Sequence, residues 1–277
     1  MAKGIGLIGN FRGKVGNMVG YNLKDSNNKQ TQGVRVYQPV VKNPKTYGQA
    51  EQRAKLAPIN ATYRALKAII DRGQEGKAYG NKSRLAWLSD AMKAFNGAWF
   101  EKGAAITAPA LVPLTKGSLA MPLPIDENAG SLVLLIQGIT QASTTTIGAL
   151  STILISNYPT LRNGDQITFV VVGYDVQGLV PHFDSIVLNS ESTDPIPSFL
   201  TVEDGQLGAF QSDANQYAQA IVISREGENG AHLRSTSKLI ATDNLPTDVM
   251  SDTAKEAAIK SYMAAGANTD WAEESLQ

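Results

Sequence analysis

Apolar residues recur with helical spacing in two neighbouring stretches. Leu56, Ile59, Tyr63, Leu66 and Ile70 follow one another at intervals of 3, 4, 3 and 4, which puts them on one helical face. Leu85, Leu88, Met92, Phe95 and Trp99 repeat those intervals. Residues 73–80 form a glycine-bounded loop between the stripes, and Gly103 closes the second. The pattern predicts an antiparallel helical hairpin. Thr46, followed three residues later by Gln49, is a capping box that starts the first helix. Pro58 either kinks that helix or begins its second segment.

Ahead of the helices, 13–23 and 33–41 look extended, and the polar run after Asp25 is a turn by composition. A β-ribbon is expected there. Gly9, Gly13, Gly16 and Gly20 weaken its first arm as a free-standing strand, so it should lean on other structure, another subunit included. Residues 103–128 hold Pro109, Pro113, Pro122 and Pro124 with little periodicity and predict a linker. Beyond it the pattern is β, with candidate strands at 131–139, 152–156, 166–174, 182–188, 199–202, 218–224 and 232–241. About seven short strands suggest an antiparallel sandwich of immunoglobulin-like type. The Cys and Trp marks of antibody domains are missing. Thr253 with Glu256 then opens a helix whose apolar side begins at Ala254, Ala257, Ala258 and Ile259, and which Gly266 stops. The expected class is α+β: a basic ribbon and helical hairpin over 1–102, a linker over 103–128, and a β-sandwich with a C-terminal helix over 129–277.

Composition adds charge to this picture. The chain has 277 residues, 43% hydrophobic and 18% charged, which is globular and not disordered. No stretch approaches the roughly 20 continuous apolar residues of a membrane helix, and the glycine-broken N-terminus is not a secretory signal. Cysteine is absent, so disulfides, thiolate metal sites and a cysteine nucleophile are excluded. That fits synthesis in a reducing cytoplasm, with a virion as a later location. The net charge of zero conceals two unlike halves. Residues 1–116 hold 19 Lys+Arg against 6 Asp+Glu, and residues 117–277 hold the reverse. Such asymmetry points to a polyanion or an acidic protein surface as partner of the first half. Mutual attraction of the halves, within a chain or between copies, is the competing account.

Catalytic patterns are few. Gly4, Gly6 and Gly9 match GxGxxG, but only three residues precede them, so the strand that would deliver the first glycine is missing. The reading is a glycine-rich arm. Walker A, GxSxG and HExxH motifs are absent. His182 and Asp184 share one strand face, yet no third ligand stands at a recognised spacing. The chain is therefore read as no enzyme, with neither metal nor cofactor.

The basic half interleaves rings with cations, as in Phe11-Arg12, Arg35-Val36-Tyr37, Tyr63-Arg64 and Lys77-Ala78-Tyr79. Cations neutralise phosphates and flat rings stack on unpaired bases, a combination suited to single-stranded nucleic acid. Tyr63, on the apolar stripe, is better assigned to the core. The candidate contacts to a polyanion or protein partner are Arg12, Lys14 and Arg35 on the ribbon, with Arg53, Lys55, Arg64 and Lys67 on the polar face of the first helix.

Residues 9–21 (GNFRGKVGNMVGY) and 43–55 (NPKTYGQAEQRAK) resemble an uncharacterised protein family of gut Bacteroidota and associated phage and metagenomic viral sequences. Its members share a GxxxGKVGxxVG opening, an NPxTxxQxxQRxK helix start and a β-rich C-terminal half. Residues 224–236 (SREGENGAHLRST) resemble the late strand pair of those proteins. The resemblance implies a viral or mobile-element structural role and transfers no functional residue. The expectation is a non-enzymatic structural or assembly protein, anchored by its N-terminal part in a homo-oligomer or against other virion proteins, with the sandwich displayed. The alternative is a nucleic-acid-binding packaging or replication accessory protein.

Overall fold

The computed structural model describes residues 13–24, 30–37, 46–121, 125–126, 133–140, 145–203, 205–208, 216–227 and 232–264. The chain divides into two compact units, 1–45 and 46–277.

The first unit contains three antiparallel strands, β1 (Gly13–Val15), β2 (Met18–Lys24) and β3 (Gln30–Val36), in that order. Register pairs Met18 with Val36, Gly20 with Val34 and Tyr21 with Gly33. A side chain at Gly33 would collide with the Tyr21 ring, whose nearest atom lies 2.6 Å from where a Cβ would stand. The glycine therefore lets the aromatic ring lie across the neighbouring strand. Alternation along the strands places Met18, Val34 and Val36 on one face, and Val19, Tyr21 and Arg35 on the other.

The second unit opens with α1 (Tyr47–Ala65), capped by the Thr46 hydroxyl, which accepts from Gln49 N. Pro58 lies inside this helix without ending it. One turn on, the Thr62 hydroxyl donates to the Pro58 carbonyl. Then come α2 (Lys67–Ile70) and α3 (Asn81–Lys93). Ile59, Leu66 and Ile70 are fully buried, so the first apolar stripe faces the core. The second stripe faces the core only in part: Leu88, Met92 and Phe95 pack against it half-buried. Leu85 is 55% exposed, whereas Trp87 and Ala91 are buried. The helix also stops at Lys93, short of Phe95 and Trp99. The large Trp87 ring decides the orientation: its Nε1 donates to the Pro113 carbonyl at 2.7 Å.

Short strands β4 (Asn96–Gly97), β5 (Ala110–Leu111) and β6 (Pro113–Thr115) follow, β4 pairing with β5. The stretch read as a linker thus contributes Ala110, Val112 and Leu114 to the core beneath the helices. Next are β7 (Ile125–Asp126), β8 (Val133–Leu135) and α4 (Ile147–Asn157). Helix α4 stands where a strand was expected at 152–156. The Thr146 hydroxyl caps it by accepting from Ala149 N. Leu150 and Leu154, one turn apart, enter the core, and this helical seating overrides the β-branched composition of Thr152, Ile153 and Ile155.

The main sheet is antiparallel, in the order β10-β9-β13-β14, with β9 (Gln166–Asp175), β10 (Gly178–Val187), β13 (Gln216–Glu226) and β14 (His232–Arg234). A smaller sheet runs β11-β12-β8-β7, with β11 (Thr201–Glu203) and β12 (Gln206–Gly208). β15 (Ser237–Lys238) pairs with β6, and β16 (Ile240–Ala241) with β13. Helix α5 (Asp252–Ala264) closes the unit and buries Ala258 and Ile259. Its first turn is met by the Ser251 hydroxyl, which accepts from Ala254 N.

The main sheet is covered on both faces. Ile167, Phe169, Ile186, Ile221 and Ile223 share one core with Leu134, Leu207 and the two α4 leucines. Val170, Val172, Ala218, Ala220 and Val222 share a second core with Ile59, Leu66, Ile70 and Trp87. Two-sided cover explains why β9 and β13 read as nearly unbroken apolar runs and do not alternate. Asp165, fully buried at the start of β9, is matched by Arg225, whose Nε and Nη2 donate to its two carboxylate oxygens at 2.6 and 2.7 Å.

Candidate functional site

The seven cations singled out in the sequence fall into separate places. Arg12 lies outside the described residues. Lys14 and Arg35 are exposed on the ribbon, and the Lys14 Nζ sits 3.6 Å from the centroid of the Tyr37 ring. On the second unit, Arg53, Arg64 and Lys67 are exposed. Arg53 and Arg64 are eleven residues apart, which brings them to nearly the same side of α1, about 16 Å apart along its axis. Lys55 is committed elsewhere. Its Nζ pairs with Glu51 at 3.0 Å, while Lys255 of α5 approaches the same carboxylate at 4.0 Å. Both lysines flank the Trp99 ring. Lys55 therefore belongs to the seam between α1 and α5.

The structure assembles a different cluster, where the 71–80 loop meets β14. A carboxylate holds this junction. Glu75 Oε2 accepts from Ser118 N at 2.8 Å and from Arg234 N at 3.2 Å, and Oε1 accepts from the Ser118 hydroxyl at 2.7 Å. Burial pushes the Glu75 carboxyl up, but these three donors outweigh it and hold the group below its ordinary value. A carboxylate saturated in this way is a fastener and a poor general base. The backbone at Gly117 approaches so closely that a Cβ there would overlap the Arg234 carbonyl. Lys116 N donates to the Gly73 carbonyl, Glu75 N to the Lys116 carbonyl and Leu119 N to the Arg234 carbonyl.

On this platform stand Arg72, Tyr79, His232 and Arg234. His232 and Arg234 are two apart on β14 and share a face. Their register partners on β13 are Glu226 and Ser224. The Tyr79 and His232 rings lie 5.6 Å apart at 45°, and the Arg72 guanidinium is 5.7 Å from the Tyr79 ring centroid. Burial lowers the Arg234 guanidinium from its ordinary value; Tyr79 offsets part of this and the Arg72 charge adds to it. Among the described residues neither guanidinium has a carboxylate partner. Asp71, next in sequence to Arg72, accepts from the Tyr63 hydroxyl at 2.9 Å. Burial, followed by that bond and the Asp71 charge, raises Tyr63 above its ordinary value.

A shallow cleft of about 340 Å³ adjoins the cluster through Glu75 and is lined by Lys77, Asp90, Lys116 and Ser118 among others. Lys116 Nζ reaches Asp90 at 3.4 Å. The sequence had drawn attention to Lys77 and Tyr79, and separately to 224–236, without joining them. The one local signal was the His232–Leu233–Arg234 alternation.

Among the described residues no group of three or more His, Cys, Asp or Glu could hold a metal ion, and no helix is long and apolar enough to cross a membrane. No protein-family model, curated protein or solved structure matches the chain.

Proposed function

We propose that this is a non-enzymatic structural or assembly protein in which the 1–45 unit engages another subunit and the 46–277 unit is the displayed body. The observation that carries the reading is the set of exposed apolar side chains on one face of the ribbon's described residues. Met18, Val34 and Val36 are 38%, 52% and 67% exposed, and no described residue of the ribbon joins a core cluster. Among the described residues the outer edge of β3 pairs with no further strand, which makes it a template for pairing. Charge favours another copy as the partner. Residues 1–45 hold eight Lys+Arg and one Asp, while the chain as a whole is neutral, so the remainder is acidic by the same margin. The resemblance of the first hundred residues suggests a phage or mobile-element setting, with a virion as the destination. In that setting the displayed body is two antiparallel sheets around one core. Its likeness to an immunoglobulin sandwich is limited to that feature, because helices cover the larger sheet's second face. The saturated Glu75 and the scattered acids support a role without catalysis.

The test is light scattering of the full chain at high micromolar concentration, beside a Val34→Glu, Val36→Glu double variant. The parent should assemble and the variant should be monomeric. A monomeric parent would overturn the reading. A second reading, nucleic-acid binding, is favoured by Arg53, Arg64 and Lys67, which are exposed without an ion-pair partner among the described residues.

A further inference from the structure

We infer that Arg72, Tyr79, His232 and Arg234 form a binding site for a phosphate group on the 46–277 unit. The site is independent of the ribbon and does not require the assembly reading.

The argument begins with charge. Two guanidinia share one small region, and Arg234 is half-buried there. A cation drawn out of water beside a like charge is normally compensated by a carboxylate. Among the described residues, the nearby carboxylates are otherwise engaged or do not reach. Glu75 is saturated by Ser118 and the Arg234 backbone, and Asp71 holds the Tyr63 hydroxyl. Glu226, opposite His232 in the β13–β14 register, is exposed and pairs with neither arginine. No described carboxylate supplies the compensation, and we assign it to a bound anion.

Chemistry narrows the anion. Guanidinium donors are arranged as planar forks that match phosphate oxygens two at a time. The Tyr79 hydroxyl and the His232 ring N–H add further donors, their rings lying 5.6 Å apart. The platform is braced by the Glu75 bonds and by the close approach at Gly117, so the donors are held before a ligand arrives. The adjoining cleft, with Lys77 and Lys116 on its wall, offers room for the rest of a phosphate-bearing molecule. Two sources share this chemistry: free phosphate, and the phosphodiester of a single-stranded nucleic acid. For the second, Tyr79 is 52% exposed and has ring surface available to a base.

The experiment uses the full chain at low ionic strength. Calorimetric titration with inorganic phosphate is run beside fluorescence anisotropy with a labelled ten-nucleotide oligothymidylate. The variants are Arg72→Gln, Arg234→Gln and Tyr79→Ala, with thermal melts to verify folding. Arg72 and Tyr79 are exposed, so those two variants should melt like the parent, and they carry the test if Arg234→Gln does not fold. A site as described binds at least one of the two ligands, and Arg72→Gln weakens that binding by about tenfold or more, the worth of one charge-assisted bond. If phosphate alone binds, free phosphate is the source. If the oligonucleotide binds and Tyr79→Ala weakens it, the source is a nucleic acid. Failure of the parent to bind either ligand at low salt overturns the inference. So does binding that Arg72→Gln leaves at the parent level, which would locate the contact on the α1 cations.

Discussion

Glu75 is the residue whose removal should loosen the junction most selectively. Glu75→Ala deletes an acceptor used by three donors: Ser118 N, the Ser118 hydroxyl and Arg234 N. A typical bond contributes about 0.5–1.5 kcal/mol net, more when one partner is charged. The two Ser118 bonds are exposed, so water can take over part of their role; the Arg234 bond is part-buried and harder to replace. Together these place the cost of Glu75→Ala at about 1–3 kcal/mol. Glu75→Gln keeps the geometry. Its carbonyl oxygen can take the Oε2 place and accept both backbone N–H groups, while its NH₂ faces the Ser118 hydroxyl, which can turn to accept. Only the charge is lost, for about 0.5–1 kcal/mol. Urea unfolding of the three proteins at neutral pH gives the ranking parent, Gln, Ala. The carboxyl also sets a pH dependence. Its folded value lies below the ordinary 4.5, so its stabilisation is fully present above about that pH and is lost as pH falls through the folded value. The parent should lose stability relative to Glu75→Gln below about pH 4.5, and the two curves should converge there. An alanine variant within about 0.3 kcal/mol of the parent, or a Gln variant with the parent's acid dependence, would refute the reasoning.

Three further outcomes follow from the packing and the charges. Leu66→Ala should cost about 2–5 kcal/mol in a denaturant melt because Leu66 is fully buried, whereas Leu85→Ala, more than half exposed, should cost under about 0.5 kcal/mol; equal costs would contradict the orientation of α3. Asp165→Ala leaves Arg225, 18% exposed, without its partner and should destabilise by about 3–5 kcal/mol, read by the same melt; a loss under about 1 kcal/mol would mean the pair is dispensable. If the chain binds single-stranded nucleic acid through α1 and α2, replacing Arg53, Arg64 and Lys67 by Gln should flatten the log–log salt dependence by about 2 units in filter binding. Adding Lys55→Gln should change it little more, since Glu51 already holds that lysine.

Local patterning accounts for much of the local structure. The Thr46–Gln49 cap and the first 3, 4, 3, 4 stripe are written within a few residues of the elements they specify; the turn expected after Asp25 lies outside the described residues. Their physics is short-range: a hydroxyl reaching one turn ahead, one helical face, alternation along a strand. Where composition and packing compete, the sequence misled. Thr152, Ile153 and Ile155 favour a strand, yet Leu150 and Leu154 meet a core built by residues on either side of them in the chain. Leu85 fits a helical stripe as well as Trp87 does; only the Pro113 carbonyl and the shape of the space beneath α3 choose between them. The apolar runs in β9 and β13 did announce burial on two faces, a signal that a two-layer sandwich does not use.

What the sequence determined by itself was the chemistry available: a cysteine-free chain, a basic and an acidic half, a glycine-rich ribbon, two helical stripes and a β-rich remainder. Those properties depend on composition and on neighbours a few residues apart. The tertiary structure decided which groups meet. It withdrew Lys55 to the α1–α5 seam and left Arg53, Arg64 and Lys67 in solvent. It also brought Arg72 and Tyr79, from the loop before α3, against His232 and Arg234 on β14. Such meetings depend on how helices seat on a distant sheet, and that seating is set by the fit of Trp87, Leu114 and Val172 in one shared core, which no local pattern encodes.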